Sequence, residues 1–132
     1  MTHERSLRWP LLWFGGGALL CTYIIYAALT PITLFVPTTL WDKASHAVAF
    51  FVLTVWFSAL VARRHMGRLV IGMIVLGIAI EVAQSFIPSR HPDVLDIVAD
   101  VIGITAGYAG AMLGLSYWVS WAEAALAWFV NR

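Results

Sequence analysis

Four long apolar runs leave this 132-residue chain few folds to choose from. LLWFGGGALLCTYIIYAAL covers residues 11–29. AVAFFVLTVWFSALVA covers 47–62, and LVIGMIVLGIAI begins at Leu69 and continues through EVAQSFI to Pro88. The fourth run starts near Val94 and continues to about Gly114. Apolar residues make up 61% of the chain and charged residues 11%, where soluble domains are about half apolar. Mean hydropathy is +0.85. Runs approaching ~20 apolar residues match the hydrocarbon thickness of a bilayer, and a spanning backbone must satisfy its own hydrogen bonds. The expectation is therefore all-α: a polytopic membrane protein, a four-transmembrane-helix bundle with a C-terminal interfacial helix. The chain reads as one integral membrane domain, 1–132, with spans at about 11–29, 44–62, 69–87 and 94–115.

Flanking residues refine this outline. MTHERSLR resembles the basic start of a signal peptide, but the run after it exceeds the usual 7–15 apolar residues, so it reads as a retained first helix. Gly15, Gly16 and Gly17 would let a neighbouring helix approach closely. Pro31 and Pro37 act as breakers, and Thr39-x-x-Asp42 fits a capping box at the second helix. Residues 94–132 as one helix would be about 58 Å long, against a hydrocarbon core of about 30 Å. A break is expected near Gly114–Ser116, followed by an interfacial helix anchored by Trp118, Trp121 and Trp128. Cys21 is the lone cysteine and cannot form an intrachain disulfide. A net charge of +1 gives no electrostatic case for nucleic acid.

Lys and Arg set the expected orientation. Arg5 and Arg8 precede the first span, and Arg63, Arg64 and Arg68 lie between the second and third. Only Lys43 and Arg90 occupy the other two loops. The positive-inside rule then puts both termini in the cytoplasm. His46 rises roughly 25 Å above Arg63, Glu81 roughly 20 Å above Arg68, and Asp100 lies roughly 10–15 Å beneath the outer loop. All three fall in the outer half of the membrane.

The scarce charges gather there. Asp42 and His46 are i, i+4 on the second helix, with Lys43 one residue round. Glu81 lies one turn before Gln84 and Ser85. Asp93, Asp96, Asp100, Gly103 and Gly107 step along one face of the fourth helix, a polar stripe that runs into a small-residue seam. Gly103-x-x-x-Gly107 and Gly110-x-x-x-Gly114 permit close packing, read as packing within the bundle rather than dimerisation. Ionised groups inside hydrocarbon are expensive and mark functional sites by default. The bland alternative is a set of ion pairs that register the helices: Asp42 with Lys43, Glu81 with His46, Asp96 with Arg90. The charges do not close, however. Five acids (Asp42, Glu81, Asp93, Asp96, Asp100) face two fixed cations, Lys43 and Arg90. A proton, a metal ion or a ligand cation would complete the site. His3 and His65 accompany basic segments and read as solvated; His91, before Pro92, reads as a turn residue.

Asp42-Lys43-x-x-His46 followed by x-x-x-Phe50 resembles the first motif of the VanZ-like membrane protein family. Glu81-x-x-Gln84, Phe86-x-Pro88-x-Arg90, Asp93-x-x-Asp96 and Gly103-x-x-x-Gly107 resemble its second and third, and the resemblance spans roughly residues 10–116. The family pattern usually has Asn where this chain has Asp100, which adds a potential charge. The resemblance implies a small helical protein of the bacterial cytoplasmic membrane. The family's name-giving member is associated with low-level resistance to the glycopeptide teicoplanin.

Two functions compete. The first is a site that acts on or binds a lipid-linked or phosphate-containing envelope component, such as a lipid-linked precursor, entering from the outer leaflet. His46, Glu81, Arg90 and Asp96 are its candidate catalytic residues, with His46 and Glu81 as the acid–base pair. Asp42, Lys43, Gln84, Asp93 and Asp100 are its candidate substrate-binding residues. Lys43 and Arg90 would hold a phosphate, and Asp96 and Asp100 would orient the pair or hold a divalent cation. The second is a non-catalytic membrane protein, involved in glycopeptide-antibiotic tolerance or in membrane complex assembly. A phosphatase of the PAP2 type is set aside because no histidine follows His91. A proton-coupled transporter is disfavoured because no broken-helix pair is evident.

Overall fold

The computed structural model describes residues 7–30 and 39–130, without the side chain of Thr39. His3, Arg5, Pro31 and Pro37, and the capping role of Thr39, lie outside the described residues. Among those residues the chain is helical: α1 Pro10–Leu29, α2 Thr39–Ser58, α3 Met66–Gln84, α4 Val94–Met112 and α5 Trp118–Val130. Short 3-10 turns, Arg63–His65 and Leu115–Tyr117, lead into α3 and α5.

Three segments are long and apolar enough to cross a membrane: Pro10–Leu29, Arg63–Gln84 and Val94–Met112. The expected second span, 44–62, corresponds to α2, which begins five residues earlier and ends at Ser58. α2 has 20 residues, but Asp42, Lys43, Ser45 and His46 occupy its first two turns. Its length is that of a span; its polar first two turns set it apart from the other three. The outer faces of the spans are apolar, with Leu19, Tyr23, Ile71, Val75 and Ile102 all exposed. A chain in water does not present so much contiguous apolar surface.

The α2–α4 pair is the most closely packed. Gly103 faces the Ala47 backbone so closely that a Cβ there would fall on the Ala47 carbonyl oxygen. One turn on, a Cβ at Gly107 would lie 2.8 Å from Thr54 Cβ and 3.0 Å from the Phe51 carbonyl oxygen. The glycine seam is thus used within the chain, and small residues let the backbones meet. Phe50 and Leu53 of α2 and Ile104 of α4 pack with Met73 and Ile80 of α3 in the central core.

α1 lies on this core by its own glycines: Cβ atoms at Gly16 and Gly17 would meet the rings of Trp56 and Phe57. Gly15 faces open space. α4 ends at Met112, and Gly114 turns the chain with φ 122°, a conformation that favours glycine. The break expected near Gly114–Ser116 is therefore present. α5 then folds back so that Trp118 packs against Trp13 and Trp56, with ring centroids 5.3 and 4.6 Å apart. Trp121 and Trp128 are exposed, whereas Trp118 belongs to this aromatic cluster. Glu123 completes the α5–α1 contact. Its Oε1 accepts from the N–H groups of Arg8 and Trp9 at 3.0 and 3.1 Å and from Trp13 Nε1 at 2.8 Å. Trp9 has no side-chain cap at the start of α1, and the α5 carboxylate holds the backbone just ahead of the first turn, at the N–H groups of Arg8 and Trp9.

Candidate functional site

α2 and α4, drawn together at Gly103, carry most of the polar cluster; α3 closes one side. Asp93 caps α4 through Oδ1, which accepts from Leu95 N at 2.9 Å. An acid is favoured at that helix end. Asp96 and Asp100 follow on the inner face and are buried.

Lys43 donates to Asp93 Oδ2 at 2.5 Å and to Asp96 Oδ1 at 2.8 Å. That ammonium, together with the Leu95 N–H, holds the Asp93 carboxyl below the usual aspartate value. One turn further along α2, His46 Nδ1 lies 2.9 Å from Asp100 Oδ1. Its other ring nitrogen, Nε2, is 4.0 Å from Asp96 Oδ2. With Asp100 ionised, Nδ1 carries a proton and donates, and in the neutral imidazole Nε2 is the lone-pair nitrogen. An imidazole held this way can accept a proton or bind a metal at Nε2.

Glu81 enters from α3. Its Oε2 accepts from Asp93 N at 3.1 Å, while Oε1 is buried with no hydrogen-bond partner among the described residues. Asp100 Oδ2 is buried and unpartnered in the same sense. It fits where α3 has Gly77: a Cβ there would be 2.7 Å from Asp100 Oδ2. Two orphaned carboxylate oxygens in one cluster are costly unless a proton or cation meets them.

Asp42, exposed at the rim, completes a second grouping. Asp42, His46 and Asp96 each offer one ligand atom, and these atoms all lie within 4.8 Å of one another. That spread is about twice a metal–ligand distance of roughly 2.0–2.4 Å, and an imidazole with two carboxylates is a donor set suited to a transition ion such as Zn²⁺ rather than to Ca²⁺ or Mg²⁺.

The structure therefore brings Asp42, Lys43, His46, Glu81, Asp93, Asp96 and Asp100 together. Gln84 and Arg90 lie at the edge and face α1 instead. Gln84 Nε2 donates to Ala28 O at 2.8 Å, and Arg90 Nη2 donates to Thr30 O at 3.0 Å. The three ion pairs of the helix-registering alternative are not formed among the described residues. Lys43 bonds Asp93 and Asp96, His46 pairs with Asp100, and Arg90 bonds a carbonyl. For His46, the Gly103–Ala47 contact holds this part of α2 against α4, where Asp100 meets the imidazole. His91 is exposed. Sequence reasoning missed Gly77, although its place four residues before Glu81 on the same helix face was a usable signal. It also missed the α1 carbonyls as partners, for which no side-chain signal exists.

Residues 11–116 match the family model described as VanZ/LLP1. The chain belongs to the VanZ/LLP1 family. The match covers the whole polar cluster and all of α1 through α4 except Pro10. With its apolar helices, this VanZ/LLP1 chain is a membrane protein of the VanZ type. No curated protein and no solved structure matches it.

Proposed function

We propose that this VanZ-type protein crosses the bacterial cytoplasmic membrane four times, with α2 as the fourth span and both termini cytoplasmic. The polar cluster then opens toward the outer leaflet, where the headgroup of a lipid-linked, phosphate-containing envelope component enters from the side. The observation that carries this reading is the placement of His46, held at Nδ1 by Asp100 and turned at Nε2 toward Asp96 and Asp42.

Charge balance shapes the chemistry. Lys43 is engaged by two carboxylates and Arg90 by a carbonyl. A phosphate approaching the cluster would meet excess acid, which repels it. Asp42, His46 and Asp96 are the residues that would hold a divalent cation, which when bound would supply positive charge for a phosphate oxygen. Asp100 orients the imidazole, in the manner of a carboxylate behind a metal-bound histidine. Lys43 keeps Asp93 and Asp96 in place. Glu81, with one oxygen unpartnered, is the group available to take or give a proton beside them. Gln84 and Arg90 position the α3–α4 connection against α1 rather than grip the substrate.

The test combines binding and turnover. Purified protein in detergent is titrated with Zn²⁺, Mn²⁺ and Mg²⁺ by calorimetry, then incubated with an envelope lipid extract with and without chelator. Cation binding that disappears in His46→Asn, with release of phosphate that falls ~10²-fold or more in Glu81→Gln, is the expected result. Folded variants that keep full activity, or a native protein that binds no cation, would overturn it. A non-catalytic role in glycopeptide tolerance or complex assembly is the second reading. It is favoured by the backbone contacts of Gln84 and Arg90, which are architectural, and it predicts no phosphate release at all.

A further inference from the structure

α3 carries Gly77 in its interior, one turn before Glu81. Glycine weakens a helix interior relative to alanine. The backbone does not require it here, since the one glycine with positive φ among the described residues is Gly114. Gly67 and Gly72, on the same helix, face open space. Gly77 does not. A Cβ on it would lie 2.7 Å from Asp100 Oδ2 and 3.4 Å from the Asp100 carboxyl carbon, with Phe50 Cζ also at 3.4 Å. The missing side chain leaves a slot in α3, and the Asp100 carboxylate of α4 fills it.

Little else fixes that carboxylate. Oδ1 meets His46 Nδ1 at 2.9 Å, and Oδ2 is buried with no hydrogen-bond partner among the described residues. One hydrogen bond does not set the plane of a carboxyl group; the walls of the slot, Gly77 and Phe50, do. A carboxylate held at one angle holds the imidazole in turn, because a histidine ring takes the tautomer and tilt that the partner of one nitrogen dictates. The line of contacts runs from Gly77 through Asp100 to His46 Nδ1. It ends at Nε2, 4.0 Å from Asp96 Oδ2.

We propose that Gly77 is a positioning residue for His46: by having no side chain it seats Asp100 at the angle that holds Nδ1–H and turns the Nε2 lone pair toward Asp42 and Asp96. The kind of contact separates this role from packing. At Gly103 the obstacle to a Cβ is the Ala47 backbone, which cannot yield; at Gly77 it is the tip of a side chain, which can turn aside. Gly77→Ala therefore folds and misplaces Asp100. Its effect on the tautomer stands on these contacts alone. Its effect on a bound cation rests on the reading of Asp42, His46 and Asp96 as a cation site.

Nitrogen NMR of the full chain, labelled with ¹⁵N-histidine in detergent at a pH where the imidazole is neutral, tests this directly. The His46 resonances are those lost in His46→Asn. The native chain is expected to show His46 as a single Nδ1–H tautomer, and Gly77→Ala to show both tautomers with no loss of melting temperature. Zn²⁺ affinity by calorimetry should fall about 10–100-fold in the same variant. Gly72→Ala, with open space around it, should leave the tautomer and the affinity at native values. In an Asp100→Ala background the slot holds no carboxylate, so adding Gly77→Ala should change neither readout further. A single Nδ1–H tautomer retained in Gly77→Ala, or both tautomers already present in the native chain, overturns the proposal. So does a further change in the Asp100→Ala background, or a large fall in melting temperature, which would make Gly77 a packing residue. A native chain that binds no Zn²⁺ would remove the cation reading by itself, and the tautomer would still decide the role of Gly77.

Discussion

His46 on α2 and Asp100 on α4 meet through Nδ1 and Oδ1 at 2.9 Å, 54 residues apart in sequence and both buried. Asp100 is 1% exposed, so the pair is sheltered from water and its geometry is set by the helices. Asp100→Asn keeps the shape and an acceptor for the Nδ1 proton. It should change thermal stability little, because it removes a charge from a cluster with excess acid. Asp100→Ala leaves His46 without a partner and should cost about 1–3 kcal/mol. Thermal unfolding in detergent distinguishes them; equal losses would show that the hydrogen bond does not hold His46 in place.

Lys43 is the cation that two acids share. Lys43→Gln should lower the melting temperature and make it rise more steeply with added divalent cation than in the native chain, since Asp93 and Asp96 then lack their ammonium. Melting curves across Mn²⁺ and Zn²⁺ series measure this. A variant whose melting temperature rises with cation no more steeply than the native chain's would show that Asp93 and Asp96, freed of Lys43, do not take up a cation.

The Gly103 contact predicts a steep size dependence. Gly103→Ala places a Cβ on the Ala47 carbonyl oxygen, and backbone atoms have nowhere to go, so α2 and α4 must separate. Overpacking of this kind costs about 1–3 kcal/mol. Gly72→Ala, with nothing within 4 Å, should be neutral or stabilise α3 by about 0.5–1 kcal/mol. Paired melting experiments would expose the error if both behave alike.

Glu123 links α5 to the entry of α1 and should make that contact acid-sensitive. Partial burial pushes its carboxyl upward, but hydrogen bonds from Trp13, Arg8 and Trp9 and the Arg8 charge outweigh it, leaving it below the ordinary glutamate value of 4.5. A depressed folded value means the stabilisation is complete above pH 4.5 and is lost as pH falls through the lower, folded value. Tryptophan emission should therefore shift below pH 4.5 as Trp118 leaves Trp13 and Trp56. In Glu123→Gln that acid transition should vanish. An unchanged transition would assign the pH response to another group.

Topology can be read chemically. In a Cys21→Ser background, cysteine at position 65 should label only from the cytoplasmic side and cysteine at position 92 only from outside. Labelling of position 65 from outside would reverse the orientation of the proposed site.

What the sequence determined alone is what local geometry governs. Apolar runs of membrane length, the turn at Gly114, and the faces shared by Asp42 and His46 or by Asp96, Asp100 and Gly103 all follow from 1.5 Å and 100° per residue along one helix. Which acid meets which base is a different kind of fact, because it depends on the rotation and register of separate helices. Only the tertiary structure decided that His46 faces Asp100 rather than Glu81, that Lys43 bridges Asp93 and Asp96, and that Arg90 and Gln84 turn to the end of α1. For the pairs between α2 and α4 the physical reason is the backbone contact between Gly103 and Ala47. Ala47 is next to His46, and Gly103 is one turn beyond Asp100, so the point where the two helices touch dictates which side chains above it come within reach.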